Sequence, residues 1–546
     1  TADADATDTT GGYQRGNYCT LNPLDSNIGS NLTNGNLDAA GSSNWNAGHA
    51  RATFGLTAGK WYWEVIKTGG STTAQIGFCN KAFDLTETYG SVPHQSWTHP
   101  TGNGQQILWP AGGTSSYFTG GAWSDGDVIG IALDMDNQTA VFYKNGVGGS
   151  TIDLTTTKSS TTDNIDTLFP LVGVYNSNVS VNFGQMRFKY PMPSGYAALN
   201  TTALPAATIE DGSTVMDVAL YTGNGTSQSI TGLGFSPDFV WVKERSGVDS
   251  HCLSDTVRGD YWMLRSDLNN ADSQYGNVGI HSLTSGGFSV GSGSAVNSNN
   301  ETYVGWAWDA GSSTVSNTDG SITSSVRTNA SAGFSIVSYT GNATAGATVG
   351  HGLNDAPATY IVKRRDSTNP WYVYHKDVTT GKVLILNETD AENASSFTNS
   401  TEPTSSVFTL GSAGAFNASG SPFIAYCFAP VAGYSSFGSY QGNGSSDGPF
   451  VYTGFRPRWL MIKRTDSTSN WVIVDAARSS FNEVNDLLYA EQNLAETVDD
   501  GNNGIDFLSN GFKLRKGVGG TNVNNATLVY IAFASNPFQA NGGLAR

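Results

Sequence analysis

Charged residues are scarce in this chain of 546 residues, and the shortage limits what the protein can bind. Only 13% of residues are charged, against roughly a quarter in ordinary globular proteins. The formal net charge is -17 and no basic stripe interrupts it, so we expect no nucleic acid partner. No run approaches the ~20 apolar residues of a membrane span, so membrane insertion is not expected either.

Cysteine and histidine are also rare, which argues against metal and redox chemistry. Four cysteines (Cys19, Cys79, Cys252 and Cys427) lie far apart, and this spacing predicts buried or free thiols. The chain has no HExxH motif, GxSxG elbow or Walker loop. We therefore expect no metal, no cofactor and no catalytic residue. A distant pair of carboxylates for glycoside hydrolysis stays open, since such partners need not be close in sequence.

What the chain does contain is turn residues alternating with β-branched and aromatic ones, which predicts an all-β protein of several domains. Strand patterns in the first two hundred residues include Gly59–Gly69 and the run "AQIGFCN". Asp125–Val147 is predicted as two strands joined at the "DMDN" turn, and Phe169–Gly184 as two strands turning at Asn176–Asn178. Short strands with frequent turns indicate an antiparallel sandwich.

These blocks carry a resemblance to a known family. The runs "GKWYWEV" (59–65), "IGF" (76–78), "GDVIG" (126–130), "VFYKNG" (141–146) and "VNFGQ" (181–185) occur in the order and spacing of a SPRY domain. The resemblance covers roughly residues 15–195. It implies a bent, concanavalin-like β-sandwich that binds protein or carbohydrate through loops at one rim and does not act as an enzyme.

A long insert at Tyr89–Gly121 is the candidate binding loop of this domain. Its aromatic residues Trp97, Trp109 and Tyr117 would stack on a sugar or meet a protein partner; the alternative is that they cover the edge of the sandwich. Residues of this loop cannot be taken over from the family, because that is where SPRY domains vary.

The rest of the chain repeats one pattern three times. Copies begin "YTGNG" at Tyr221, "YTGNA" at Tyr339 and "YQGNG" at Tyr440. Each continues to a strand with a Pro six residues before a Lys, then to a Phe-centred strand and an aromatic-rich closing strand. At about 100 residues each copy is long enough to bury its own core, so we predict three related small β-sandwich domains. Residues 481–497 are expected to form the one good helix, an insertion in the third copy.

Two of the copies carry a basic cluster, Lys363-Arg364-Arg365 and Lys463-Arg464, before an Asp-Ser-Thr turn. We interpret it as a strand-end hairpin that braces a domain or an interface, because the first copy keeps Lys243 and Arg245 but not the turn. A ligand grip and a contact between subunits are the alternatives.

The predicted organisation is an acidic arm (1–14), the SPRY-like sandwich (15–197), repeat domains 213–311, 332–435 and 436–546, and a linker or extended arm at 312–331. This architecture resembles virion proteins of tailed phages, especially marine ones. The resemblance implies a tail fibre or other exposed appendage of a virus particle, present as a homo-oligomer. Its partners would be copies of itself, other virion proteins and a host-surface glycan or protein. A capsid decoration or scaffold protein and a polysaccharide-degrading tail enzyme are the alternatives.

Overall fold

The computed structural model describes residues 16–28, 31–41, 48–86, 96–100, 106–108, 114–116, 123–157, 165–498, 501–517 and 519–537. Two compact units divide the chain, one up to Ala206 and one from Ala207 to Phe538. Both are built almost entirely from antiparallel strands, as the composition predicts. Among the described residues no helix is long and apolar enough to cross a membrane.

The first unit is a β-sandwich centred on two long, mutually paired strands. Its elements are β1 (Leu21–Ser26), β2 (Leu32–Thr33), β3 (Asp38–Ala40), β4 (Gly48–Ala52), β5 (Lys60–Asn80), β6 (Ser96–Pro100), β7 (Gln106–Leu108), β8 (Thr114–Ser116), β9 (Val128–Asp134), β10 (Thr139–Lys144), β11 (Val147–Gly148), β12 (Ile152–Asp153), α1 (Leu154–Thr157), β13 (Leu168–Asn182) and β14 (Ala197–Ala198), with a 3-10 turn at Thr201–Ala203. The main strand order is β1-β4-β13-β5-β6-β7-β8.

Strand pairing decides two of the predictions for this unit. β9 and β10 form the predicted hairpin, with Asp134 opposite Thr139. The predicted reversal at Asn176–Asn178 is wrong, because β13 runs on through these residues and stays paired with β5 from Leu168 to Asn182. At the register shift between Tyr175 and Ser177, one residue of β13 lies opposite two residues of β5, so the extra residue belongs to β5 and the turn-like sequence of β13 forms no hairpin.

A buried carboxylate fixes the end of this sandwich to its centre. Glu64 on β5 is fully buried and accepts hydrogen bonds from the backbone N–H groups of Lys189 (2.7 Å) and Tyr190 (3.0 Å). Trp61 and Trp63 on the same strand are also buried, with the Trp63 ring 6.5 Å from that of Phe78. Both faces of β5 are therefore buried at its first half, which explains the aromatic run Trp61-Tyr62-Trp63 there.

The first repeat opens the second unit. Its elements are a 3-10 turn (Gly212–Thr214), β15 (Met216–Thr222), β16 (Gln228–Thr231), β17 (Phe239–Glu244), β18 (Cys252–Asp255), β19 (Trp262–Met263), β20 (Ser273–Gln274), a 3-10 turn (Gly276–Val278), β21 (Ile280–Thr284), β22 (Gly287–Val290), α2 (Ser294–Asn297) and β23 (Thr302–Trp308). The sheet β15-β23-β17-β18 lies beside a second sheet, β16-β22-β21.

The second repeat begins with two additional strands and has no counterpart of β21, but its other strands follow those of the first. Its elements are β24 (Thr314–Asn317), β25 (Ser324–Asn329), β26 (Phe334–Thr340), β27 (Ala347–Gly350), β28 (Thr359–Arg364), β29 (Tyr372–His375), β30 (Lys382–Ile385), β31 (Asn393–Ala394), β32 (Val407–Leu410), α3 (Gly414–Asn417) and β33 (Pro422–Phe428). The predicted linker at 312–331 is corrected: it forms β24 and β25, which extend the sheet beside β26, and Val326 is buried.

The third repeat closes the unit with β34 (Ser435–Gln441), β35 (Phe450–Tyr452), β36 (Phe455–Arg464), β37 (Trp471–Asp475), β38 (Asp486–Tyr489), β39 (Thr497–Val498), β40 (Ile505–Leu508), β41 (Gly511–Leu514) and β42 (Thr527–Pro537). The predicted helix at 481–497 is wrong. This stretch supplies β38, which pairs with β37 as β30 pairs with β29, so the tertiary context of the repeat overrides local helix propensity.

The strand order β15-β23-β17-β18 recurs as β26-β33-β28-β29 and as β34-β42-β36-β37. One face of each of these sheets covers the core of its own repeat, for example with Val240 and Val242 in the first. The other face, with Phe239 and Trp241, contributes to a single core shared by all three repeats. Three small sandwiches are thus present, and a common core joins them.

Aromatic contacts cross this shared core at every pair of repeats. The ring of Phe239 lies 4.3 Å from that of Tyr426, joining the first repeat to the second. Phe428 lies 5.6 Å from Phe533, joining the second to the third, and Trp308 lies 5.7 Å from Trp459, joining the third to the first. Because every repeat contributes large rings to the same interior, the three depend on one another for burial.

Candidate functional site

The SPRY insert is the predicted site of recognition. Trp97 lies on β6 with its backbone opposite Phe78 of β5, so this part of the insert continues the sheet. Trp109 and Tyr117 lie outside the described residues. The assignment of these three aromatic residues to binding stays a prediction.

The basic cluster of the second repeat lies at the hairpin between β28 and β29, as the sequence indicates. Lys363 is fully buried, and its ammonium donates to the carbonyls of Asn269 (3.0 Å), Arg364 (3.1 Å) and Asn369 (2.8 Å). Burial lowers the pKa of Lys363 to about 8. Asn269 belongs to the first repeat, so this lysine ties two repeats together.

The neighbouring arginines divide between the same contact and the surface. Arg365 forms an ion pair with Asp272 of the first repeat (2.6 Å), and its backbone carbonyl accepts from the Asp272 N–H (2.9 Å). Arg364 pairs with Asp366 of its own turn (2.6 Å). Asp366 therefore holds Arg364 within the hairpin, and Arg365 contacts the first repeat.

The third repeat makes the same contact with the second. Lys463 is fully buried and donates to the carbonyl of Thr389 (3.1 Å), and burial lowers its pKa to about 8. The carbonyl of Thr465 accepts from the Glu392 N–H (2.8 Å), as that of Arg365 does from Asp272. Arg464 pairs with Asp466 (2.8 Å).

A third contact of this kind closes the ring from the first repeat to the third. The carbonyl of Arg245 accepts from the Glu496 N–H (2.7 Å), and the Arg245 guanidinium binds the Glu496 carboxylate (Nη2 to Oε1, 2.6 Å). Arg478 holds the other oxygen of Glu496 (2.8 Å). Each hairpin thus clasps one neighbour, and we call these three contacts the clasps.

The clasps decide what the predicted interface residues do. Lys363, Arg365 and Lys463 serve an interface between repeats of one chain, and the burial of both ammonium groups removes them from any contact between subunits. Arg364 and Arg464 remain partly exposed, so for these two a contact between subunits stays a prediction.

Each clasp is completed by a ring nitrogen that the sequence alone does not identify. Trp371 Nε1 donates to the carbonyl of Arg265 (2.9 Å), and Trp471 Nε1 donates to that of Ile385 (2.9 Å). His251 occupies the corresponding place in the first repeat. Its Nδ1 accepts from Trp241 Nε1 (2.7 Å), so its proton is on Nε2, which lies 2.9 Å from the Tyr489 carbonyl. Burial lowers the pKa of His251 to about 3.

A buried asparagine in each repeat holds the "YTGN"-type turn, another feature that sequence reasoning missed. Asn417 Nδ2 donates to the carbonyls of Thr344 (3.0 Å) and Gly411 (2.8 Å), and its Oδ1 accepts from the Asn342 N–H (2.8 Å). Asn297 and Asn522 bind the corresponding turns in the same way. The shared turn motif is therefore structural.

An open cleft of about 370 Å³ lies where the second and third repeats meet, lined by Asn387, Glu388, Thr389, Asp390, Glu491 and Gln492. Burial raises the pKa of Glu491 to about 7, and its Oε2 accepts from the Trp471 N–H (3.0 Å). Burial, with the nearby charge of Asp390, also raises the pKa of Glu388. A carboxyl that is half protonated near neutral pH can donate or accept a proton, as in acid–base hydrolysis.

In the part of the chain that the structure describes, we find neither a metal-binding cluster nor a reactive thiol. No group of three or more His, Cys, Asp or Glu side chains there is arranged to hold a metal ion. All four cysteines are buried and lie outside any disulfide, as the sequence predicts. Burial raises the pKa of Cys79 and of Cys252 to about 12, so these thiols stay protonated and unreactive.

Comparison with known proteins finds a matching family model for each unit. A model of the SPRY domain matches residues 60–186. Among solved structures, the SPRY domain of human HERC1 is 19% identical, with a TM-score of 0.25, over 31% of this chain and 99% of that one. The TRIM65 PSpry domain is 15% identical, with a TM-score of 0.24, over 30% of this chain and 89% of that one. Residues 211–537, more than half of the chain, match a family described only as a domain of unknown function, DUF7483. The chain therefore contains a SPRY domain and belongs to the DUF7483 family.

Proposed function

We propose that this protein is a non-catalytic binding protein of a virus particle, a tail fibre or other exposed phage appendage. In this proposal the SPRY domain recognises a host-surface glycan or protein, and the three-repeat unit is a rigid scaffold. The chain would act as a homo-oligomer together with other virion proteins, in the extracellular environment.

One observation carries the scaffold part of the proposal. The clasps bury or pair Lys363, Arg365 and Lys463, three of the five basic side chains that the sequence marks as a candidate ligand grip, and a shared aromatic core joins the repeats. A unit whose repeats are held together by such contacts is suited to a rigid structural role. Recognition is then left to the SPRY domain, a class that typically mediates binding.

The test of recognition uses the full chain and the predicted loop residues. Trp97→Ala and Trp109→Ala are expected to weaken binding to host cells or to a host glycan at least tenfold. Phe481→Ala is the matched control, because Phe481 is an exposed aromatic residue (84%) of the other unit. If the intact protein binds neither host cells nor any host-surface component, the recognition role is refuted.

Location distinguishes the appendage from the alternatives. Antibody against the SPRY domain is expected to label the exterior of the assembled particle and to block attachment. Labelling only after the particle is disrupted would favour a scaffold or decoration protein without a receptor role.

A polysaccharide-degrading enzyme is the second candidate function, and the cleft with Glu491 is the observation that favours it. Such an enzyme would release reducing sugar from host polysaccharide, and Glu491→Gln would abolish the release. Glu402→Gln would leave it unchanged, because Glu402 lies outside the cleft, hydrogen-bonded to the Tyr374 hydroxyl. Absence of any release across host strains would remove this candidate.

A further inference from the structure

One backbone position distinguishes the first repeat from the second. The carbonyl of Tyr261 accepts from the Tyr275 N–H (3.0 Å), and that of Gly381 accepts from the Ser395 N–H (2.9 Å), so the two positions correspond. Both are left-handed, with φ of 69° at Tyr261 and 80° at Gly381. Glycine adopts this conformation freely, whereas a bulky side chain costs about 1–2 kcal/mol.

The ring of Tyr261 does not recover this cost by burial. Its side chain is 40% exposed, and its ring lies 5.6 Å from that of His281, itself half-buried. A residue that strains the backbone and faces solvent contributes little to the core. Gly381 shows that the fold at this position needs no ring.

Two further aromatic residues lie beside Tyr261 on the ribbon formed by β19 and β20. Arg365 lies over the ring of Trp262 (5.7 Å), and Arg265 lies over that of Tyr275 (5.3 Å), and both rings are only half-buried. At the corresponding positions the second repeat has Lys382 and Ser395. The aromatic residues are therefore a property of the first repeat. We call Tyr261, Trp262, Tyr275 and His281 the aromatic shelf.

We propose that the aromatic shelf binds a neutral carbohydrate, with a sugar ring stacked on Tyr261. Aromatic faces suit the apolar faces of sugar rings, and the exposed side chains of Asp260, Ser273 and Gln274 beside the shelf supply hydroxyl partners. The net charge of -17 disfavours polyanionic glycans, which limits the ligand to neutral ones. The shelf belongs to the first repeat of the second unit, and the proposal does not depend on the function proposed for the SPRY loops.

The test compares Tyr261→Gly, which copies the second repeat, with Phe481→Ala, which removes an exposed ring from the third. Binding of cellohexaose, chitohexaose and maltohexaose to the full chain is measured by calorimetry and by saturation-transfer NMR. The wild type is expected to bind at least one of the three. Tyr261→Gly should bind that sugar at least tenfold more weakly, with an unchanged or higher Tm. Phe481→Ala should bind it as the wild type does.

Four outcomes would overturn the assignment. Failure of the wild type to bind any of the three sugars excludes a neutral carbohydrate. Equal binding by Tyr261→Gly excludes the shelf, and loss of binding in Trp97→Ala alone would move the site to the SPRY insert. A lower Tm in Tyr261→Gly would show that the ring is needed for folding.

Discussion

Replacement of Lys363 by Met tests whether the clasps hold the repeats together. Methionine keeps the length and the apolar stem of the side chain, and it removes the ammonium with its three hydrogen bonds to carbonyls. Only the bond to Asn269 crosses to the first repeat, while those to Arg364 and Asn369 lie within the second, so the substitution weakens both the clasp and the hairpin that carries it.

The size of the effect follows from two opposing contributions. Hydrogen bonds that involve a charged group contribute about 2 kcal/mol each, so the loss of three costs about 6 kcal/mol. Removing a buried charge recovers part of this. The pKa of Lys363 falls from 10.5 to about 8 on burial, which corresponds to about 3 kcal/mol. The free energy of unfolding should fall by about 3 kcal/mol, close to the cost of breaking a buried ion pair.

Hydrogen exchange of the full chain is the assay, because it reports each region separately. Peptides from β17, β18, β28 and β29 should lose protection about a hundredfold, while peptides of the SPRY domain serve as an internal reference. Arg464→Met is the matched control, since its ion pair with Asp466 is exposed and is expected to contribute below about 1 kcal/mol. If Lys363→Met loses no more protection than Arg464→Met, the clasp does not stabilise the junction.

Three further predictions concern the same unit. The pKa of His251 is about 3 in the folded protein and 6.5 in the unfolded one, so between these pH values the unfolded chain binds more protons. The free energy of unfolding should therefore decrease as the pH is lowered, by about 2 kcal/mol from pH 7 to pH 5. His251→Gln should lack that share of the loss when denaturant unfolding is compared at the two pH values, and an identical pH dependence would contradict it. Trp459→Ala should cost about 3–5 kcal/mol and lower exchange protection in all three repeats, whereas an effect limited to the third would show that the core is not shared. Asn417→Ala removes three hydrogen bonds of a buried side chain and should cost about 3 kcal/mol, with exchange rising first in the turn around Asn342; uniform loss of protection across the unit would argue against a local role.

The sequence predicts the strands and the repeats well, because both depend on local patterns. Alternation along Phe239-Val240-Trp241-Val242 indicates a strand with two apolar faces, and the structure buries both. The sequence does not show that one of those faces meets the other repeats. Nothing local distinguishes a face that covers its own sandwich from one that enters a shared core.

The candidate site was harder to predict for the same reason. Lys363 stands out in a charge-poor chain, and charge in such a setting suggests a surface. Its burial depends on the carbonyl of Asn269, almost a hundred residues earlier, and no motif announces that contact. Likewise, His251 takes the place of Trp371 and Trp471, and only the hydrogen bond to a neighbouring repeat reveals that the three are equivalent.

The closing clasp between Arg245 and Glu496 has a consequence for how the chain is threaded. A clasp holds each of the three junctions between repeats, including the junction of the first and third repeats, which are not consecutive in the chain. The packing therefore does not require the chain to connect any particular pair of repeats. The unit also starts and ends in one place, since the 3-10 turn at Gly212–Thr214 packs against the last strand near Ala534. A circular permutant that joins these ends and opens the chain between the first and second repeats should therefore fold to the same ring. A unit built this way resembles three subunits of a trimer that have been fused into one polypeptide.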